Sequence, residues 1–327
     1  MPLYGHGAHG GCCDLRAFLK DNNTLPLPLA NKLFCQIENG LRELHRRGVL
    51  HRDLKPANIF IDFIRSADGN LEPFAVVGDL GSARVLSEPM YPPLGEGGGG
   101  GGDMDDSCQG GADRSGAAAQ ARGPHKPMTQ VDAVLTPNFL PPEHLAAHPT
   151  SYDASVDTWA LGCIYGEMLG AVPGNGRDPQ SGDNGPGGKM FRNSWVDGGD
   201  QAANENNLLA AIVKGLGPDA CALPTEGYRV RAIRESVAMR HPERVGRSTL
   251  DLLKDRFPAC ADKEGLPTLQ RLEALLRFDP AARATLWDPT DRTHHFEASA
   301  FESAQQAAAR GDMEALRNHV VEEMRAW

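Results

Sequence analysis

The stretch His51-Arg52-Asp53-Leu54-Lys55-Pro56-Ala57-Asn58-Ile59-Phe60-Ile61-Asp62 constrains this chain more than any other. Residues 51–58 bring together an imidazole, a guanidinium, a carboxylate, an ammonium and an amide, and the chain then turns apolar over Ile59-Phe60-Ile61. This reads as a polar loop running into a strand. The flanking segments agree. Leu29, Leu33, Ile37, Leu41 and Leu44 recur at steps of four and three, one face of a core helix over 29–47. Gly48 stands where that helix needs a C-terminal cap. Beyond the loop, residues 59–86 read as two short strands around the polar turn Ser66-Ala67-Asp68-Gly69-Asn70, ending in Val77-Gly78-Asp79-Leu80-Gly81-Ser82.

Composition decides which partners and compartments suit such a chain. Its 327 residues can bury a sizeable core, and 40% of them are hydrophobic, an ordinary share for a globular protein. A net charge of -10 argues against general binding to nucleic acid or to anionic membranes. Seven irregularly spaced cysteines do not form a disulfide framework and suit a reducing cytoplasm or nucleus. The start, Met1-Pro2-Leu3-Tyr4-Gly5-His6-Gly7, lacks a signal peptide's basic and apolar segments, and no apolar run reaches the roughly 20 residues of a membrane span. Residues 1–13 are rich in Gly and His. Although His6, His9, Cys12 and Cys13 are metal-ligand types, adjacent cysteines rarely serve one ion, and a flexible connector is the reading. Residues 87–135, with unbroken glycine from Gly97 to Gly102, cannot bury enough apolar surface to offset chain entropy and are expected to be disordered, the core of that insert being about 87–130. Residues 170–189 read as a second loop.

The charged stretch resembles H-R-D-L-x-x-x-N, the catalytic loop of eukaryotic protein kinases. Phosphoryl transfer needs a carboxylate to accept a hydroxyl proton, a cation to neutralise the moving phosphoryl group and an amide oxygen for Mg²⁺. By that resemblance Asp53 is the base, Lys55 the phosphate-side cation and Asn58 a Mg²⁺ ligand. His51 and Arg52 are structural, and Lys55-Pro56 resembles the Ser/Thr branch of the family. Asp79-Leu80-Gly81 stands where kinases carry Asp-Phe-Gly. Asp79 would then bind Mg²⁺ at the ATP phosphates, Leu80 would keep a packing plug, and Gly81 would free the turn. Thr136-Pro137-Asn138-Phe139-Leu140-Pro141-Pro142-Glu143 resembles the end of the activation segment, with Thr136 positioning Asp53 and Lys55. The run from Asp157 to Leu169 resembles the large-lobe helix whose leading Asp accepts hydrogen bonds from the catalytic-loop backbone. Asn207 to Pro218 and Phe278-Asp279-Pro280-Ala281-Ala282-Arg283-Ala284-Thr285 resemble the cyclin-dependent and mitogen-activated group, and Arg283 is expected to form a buried ion pair with Glu143. His294-His295-Phe296-Glu297 resembles the end of the kinase domain, and 298–327 reads as a helical tail. Thr129 is the nearest upstream hydroxyl that a phosphate could occupy to pair with Arg52. Leu140 and Pro141 replace the group's Arg and Ala, so a demand for proline after the acceptor is not implied.

The resemblance implies a mainly α fold with a few short β-strands: the large C-terminal lobe of a protein kinase without the small β lobe. It covers a hinge-like segment 1–13 and a lobe over 14–297. No G-x-G-x-x-G or V-A-I-K precedes the loop, which fits either a shortened chain or a one-lobe protein. The implied activity is Ser/Thr protein kinase, with ATP and Mg²⁺ as cofactors and a protein hydroxyl as acceptor. A regulatory subunit or the missing lobe would be its partner. The alternative is a non-catalytic binding module derived from a kinase.

Overall fold

A computed structural model describes residues 13–22, 24–65, 71–85, 136–147, 153–175, 188–191, 196, 198–223 and 226–286. The hinge-like segment through residue 12, the insert 87–135 with Thr129, and the tail with His294 and His295 lie outside these residues. The chain divides into two units: Met1–Asp62 with Phe74–Leu286, and Phe63–Pro73 with Trp287–Trp327. Of the second unit only the distal ends of two strands are described.

The first unit is mainly helical with a few short strands, as expected. A strand β1 (Cys13–Asp14) leads into α1 (Leu15–Asp21), where the Asp14 side chain accepts the Ala17 N–H at 2.7 Å and starts the helix. The amphipathic helix α2 (Leu27–Arg46) opens at Pro26 and Pro28. It stops where Gly48 takes φ 70 and donates its N–H to His45 O. Its buried face is Ala30, Leu33, Phe34, Ile37, Glu38, Leu41 and His45. The face therefore closes on His45 rather than on Leu44, because a strict step of four from Leu41 falls there. Next come β2 (Val49–Leu50), the polar loop, β3 (Ile59–Arg65), β4 (Leu71–Val77) and β5 (Arg84–Val85). They form a sheet of order β1-β3-β4, with Cys13 opposite Ile61, and an antiparallel pair of β2 with β5 that sets Leu50 opposite Arg84.

After α3 (Pro142–Ala147), helix α4 (Ser155–Gly170) is the centre of the core. It is buried on every side from Val156 to Leu169, so it has no solvent face to pattern. Tyr165 stacks on Phe34 of α2 at 3.7 Å between ring centroids. At Gly162 a Cβ would come 2.8 Å from Leu276, so glycine lets the chain beyond α8 (Leu266–Leu275) approach closely. Helix α5 (Gln201–Leu216) starts on an Asp200 cap and ends at Gly217, φ 97. Two further helices, α6 (Tyr228–Arg240) and α7 (Thr249–Arg256), were not legible from periodicity; α6 buries only Val230 and Val237. Residues 171–175, expected as loop, form an ordered turn in which buried Asn175 donates to Leu169 O and accepts from Ala259 N, both at 2.8 Å. No described helix is long and apolar enough to cross a membrane.

Candidate active site

The polar loop between β2 and β3 is held from below. The Asp157 carboxylate, at the first turn of α4, accepts the backbone N–H of His51 on Oδ2 and that of Arg52 on Oδ1, each at 2.8 Å. His45 Nε2 of α2 donates to the same Oδ2 at 2.8 Å. Both side chains of this pair are only 1% exposed. Burial by itself would raise the Asp157 pKa, but the His45 hydrogen bond and charge and the two backbone donors outweigh it and hold the carboxyl below its ordinary value. The imidazole of His51 crosses to the other strand, donating Nε2–H to Gly78 O at 2.9 Å while Nδ1 accepts the Asp53 N–H at 3.3 Å. Arg52 sits in the left-handed region, φ 68, with Nε donating to Ser82 O at 2.6 Å.

These ties present the chemical groups above the loop. Asp53 Oδ1 accepts the Thr136 hydroxyl at 2.5 Å, Oδ2 lies 2.6 Å from Lys55 Nζ, and Nζ also donates to Thr136 Oγ1 at 3.2 Å. Asn58 Nδ2 donates to the Asp53 carbonyl at 2.8 Å and approaches Asp53 Oδ2 at 3.3 Å. The amide is thereby oriented with both of its contacts on the nitrogen, and Oδ1 is left as a neutral oxygen donor. Asp79, exposed at the end of β4, adopts φ 57 and accepts the Gly81 N–H at 3.3 Å. An amide oxygen and an exposed carboxylate are the hard donors that suit Mg²⁺, so the donor set fits the implied ion.

Glu143 and Arg283 form a fork-to-fork pair, Nη1 to Oε1 and Nη2 to Oε2 both at 2.9 Å. Arg283 is fully buried and also donates to the carbonyls of Ser155 and Arg277, and its guanidinium lies 5.1 Å from the Trp159 ring centroid. The stretch leading out of Thr136 is thus clamped to the start of α4.

One expectation is overturned. Leu80 is 45% exposed and is no packing plug among the described residues. Among the described residues the turn Leu80–Ser82 buries none of its side chains. Sequence reasoning also passed over His45 and over buried Glu38, which pairs with Arg271 and lies 3.5 Å from Arg42. The available signal was their place in the α2 face, one step of four beyond Leu41 and one residue after Ile37.

Fold and loop together resemble those of a protein kinase, and residues 8–93 match the family model described as the protein kinase domain. Among curated relatives, the chain is 32% identical over 150 residues to the Serine/threonine-protein kinase srb10 of Schizosaccharomyces pombe, covering 46% of this chain and 29% of the relative. It is 27% identical over 154 residues to Cyclin-dependent kinase 8 of Drosophila melanogaster, covering 47% and 25%. It is 31% identical over 151 residues to the Serine/threonine-protein kinase SSN3 of Coccidioides immitis, covering 46% and 23%. The chain resembles Ser/Thr kinases of the cyclin-dependent kind, and its matched part spans less than a third of each of these three relatives.

Proposed function

We propose that this chain belongs to a Ser/Thr protein kinase that moves the γ-phosphoryl group of ATP to a protein hydroxyl. The observation that carries the reading is the closed set Thr136–Asp53–Lys55, in which one carboxylate is gripped on both oxygens at 2.5 and 2.6 Å. Asp53 takes the acceptor's hydroxyl proton. Thr136 fixes the carboxylate's direction, and Lys55 offers an ammonium to the transferred group. Asn58 and Asp79 would hold Mg²⁺, which neutralises charge on the phosphates when bound. His51, Arg52, Asp157, Gly81 and the Glu143–Arg283 pair position these groups without touching substrate. A phosphate on Thr129 would find a cation in Arg52, and the domain plan 1–13, 14–297 and 298–327 is proposed with the same reading. Relatives named as cyclin-dependent kinases suggest a regulatory protein partner, and the cysteine content suits a cytoplasmic or nuclear setting. The exposed Leu80 favours a second reading, a non-catalytic module that offers this surface to a partner.

The test is phosphate transfer to a Ser/Thr protein substrate beside calorimetry with MgATP. Asp53→Asn is expected to lower turnover by about 10²–10⁴-fold with nucleotide affinity kept, and Asp79→Asn to weaken Mg²⁺-dependent binding. Wild-type turnover in Asp53→Asn removes the role of base. A chain that neither binds MgATP nor transfers phosphate leaves the module.

A further inference from the structure

If Leu80 does not pack, something else must hold Asp79 at φ 57, since a non-glycine residue persists in the left-handed region only when its surroundings over-determine it. The answer lies one residue upstream. A Cβ built on Gly78 would fall inside the edge of the Phe60 ring, 2.5 Å from Cδ2 and closer still to Cε2. Gly78 is not among the glycines with positive φ, so its backbone would accept alanine. Its requirement for glycine is steric, and the nearest atoms that impose it belong to the Phe60 ring. The backbone cannot yield, because Gly78 N–H donates to Asn58 O at 2.9 Å and Gly78 O accepts from His51 Nε2 at 2.9 Å.

We infer that Phe60, seated on Gly78, is the positioning residue of the Asp79 turn and takes the part that Leu80 leaves undone. The ring backs the Cα of Gly78 while two hydrogen bonds fix its peptide groups. Asp79 therefore leaves a rigid point, and its carboxylate is aimed by β3 and the polar loop as well as by its bond to Gly81. Phe60 lies two residues after Asn58, so β3 begins directly after one proposed Mg²⁺ ligand and orients the other. The inference rests on the proposed function only for what Asp79 binds; the coupling itself does not depend on it.

Four forms of the full chain decide the matter: wild type, Gly78→Ala, Phe60→Ala and the double variant. Amide hydrogen exchange over 79–83 is read without nucleotide, and MgADP binding by calorimetry. Gly78→Ala and Phe60→Ala are each expected to speed exchange about tenfold and to weaken MgADP binding by a similar factor, as for coupled neighbours. In the double variant the added methyl group enters the space that the ring vacated, so Gly78→Ala there is expected to slow exchange back toward wild type. That reversal of sign is not produced by general loosening. Equal effects of Gly78→Ala with and without Phe60 overturn the inference, as does unchanged exchange in Phe60→Ala. Should Gly78→Ala alone fail to fold, a double variant that folds supports the coupling, and one that also fails overturns it. Failure of the wild-type chain to bind MgADP, with the exchange reversal present in the double variant, refutes the kinase reading and upholds the positioning role.

Discussion

Two non-glycine residues with positive φ mark the two loops of the site, and they are held by opposite means. Arg52, φ 68, lies over a buried anion: its N–H meets Asp157 Oδ1, its neighbour's meets Oδ2, and its side chain reaches Ser82 O. Asp79, φ 57, is exposed, and its own side chain makes one 3.3 Å bond to Gly81 N. The first loop is fixed by charge from the core helix, the second by the backbone and ring packed behind Gly78. Charge in a dry interior is strong and costly to leave unpaired, whereas packing at a surface is weak and easily moved. The loop that carries Asp53 is thus fixed by a buried charge, and the turn that carries Asp79 by the packing and hydrogen bonds at Gly78.

The largest test of this contrast is Asp157→Ala. It strands buried His45 and two backbone donors at once, and is expected to cost about 3–5 kcal/mol in denaturant unfolding. A loss below 1 kcal/mol would mean that the loop does not depend on the anion. Acid provides the next. Because the folded Asp157 carboxyl lies below its ordinary value, the unfolded chain takes up that proton first as pH falls. The stabilisation is whole above about pH 4 and drains as pH falls toward the depressed folded value, with a slope of at most about 1.4 kcal/mol per pH unit from this group. Urea titrations between pH 7 and pH 2 are expected to show a shallower acid limb in Asp157→Asn; identical limbs would assign the acid sensitivity to other groups.

Smaller effects separate the two left-handed residues. Asp79→Gly relieves backbone strain and forfeits only a surface contact, so it is expected to stabilise the fold by up to about 1 kcal/mol while losing Mg²⁺-dependent nucleotide binding. Arg52→Gly relieves similar strain but gives up the Ser82 bond, and no gain is expected. Thermal melts of the pair check the difference, and a gain in both would erase the contrast. The least effect belongs to Leu80→Ser, within about 0.5 kcal/mol, as for an exposed side chain away from packed features. A larger loss would restore Leu80 as a plug.

Much of the site was legible before any fold was known, because its chemistry is local. Asp53, Lys55 and Asn58 lie within six residues, and the Asp157 and Glu143–Arg283 contacts followed from motif resemblance. The helices that carry one apolar stripe were equally plain. Helix α6 was not, since its two buried valines leave no stripe to read and its ties from Arg229 to Glu205 of α5 and from Arg234 to Glu226 are polar.

The sequence by itself determined the polar set of Asp53, Lys55 and Asn58, the amphipathic helix that leads to it and the strand that leaves it, since each depends on neighbours within a few residues. Only the tertiary structure decided that His45 completes the anion site 112 positions from its partner, that Leu80 faces outward, and that Phe60 rather than Leu80 backs the Asp79 turn. The physical reason is that a periodic pattern shows which face of an element is apolar but not which atoms will occupy the space opposite it. Buried pairs and close approaches are settled when distant segments fill one volume, and there the missing Cβ of Gly78 matters as much as any side chain present.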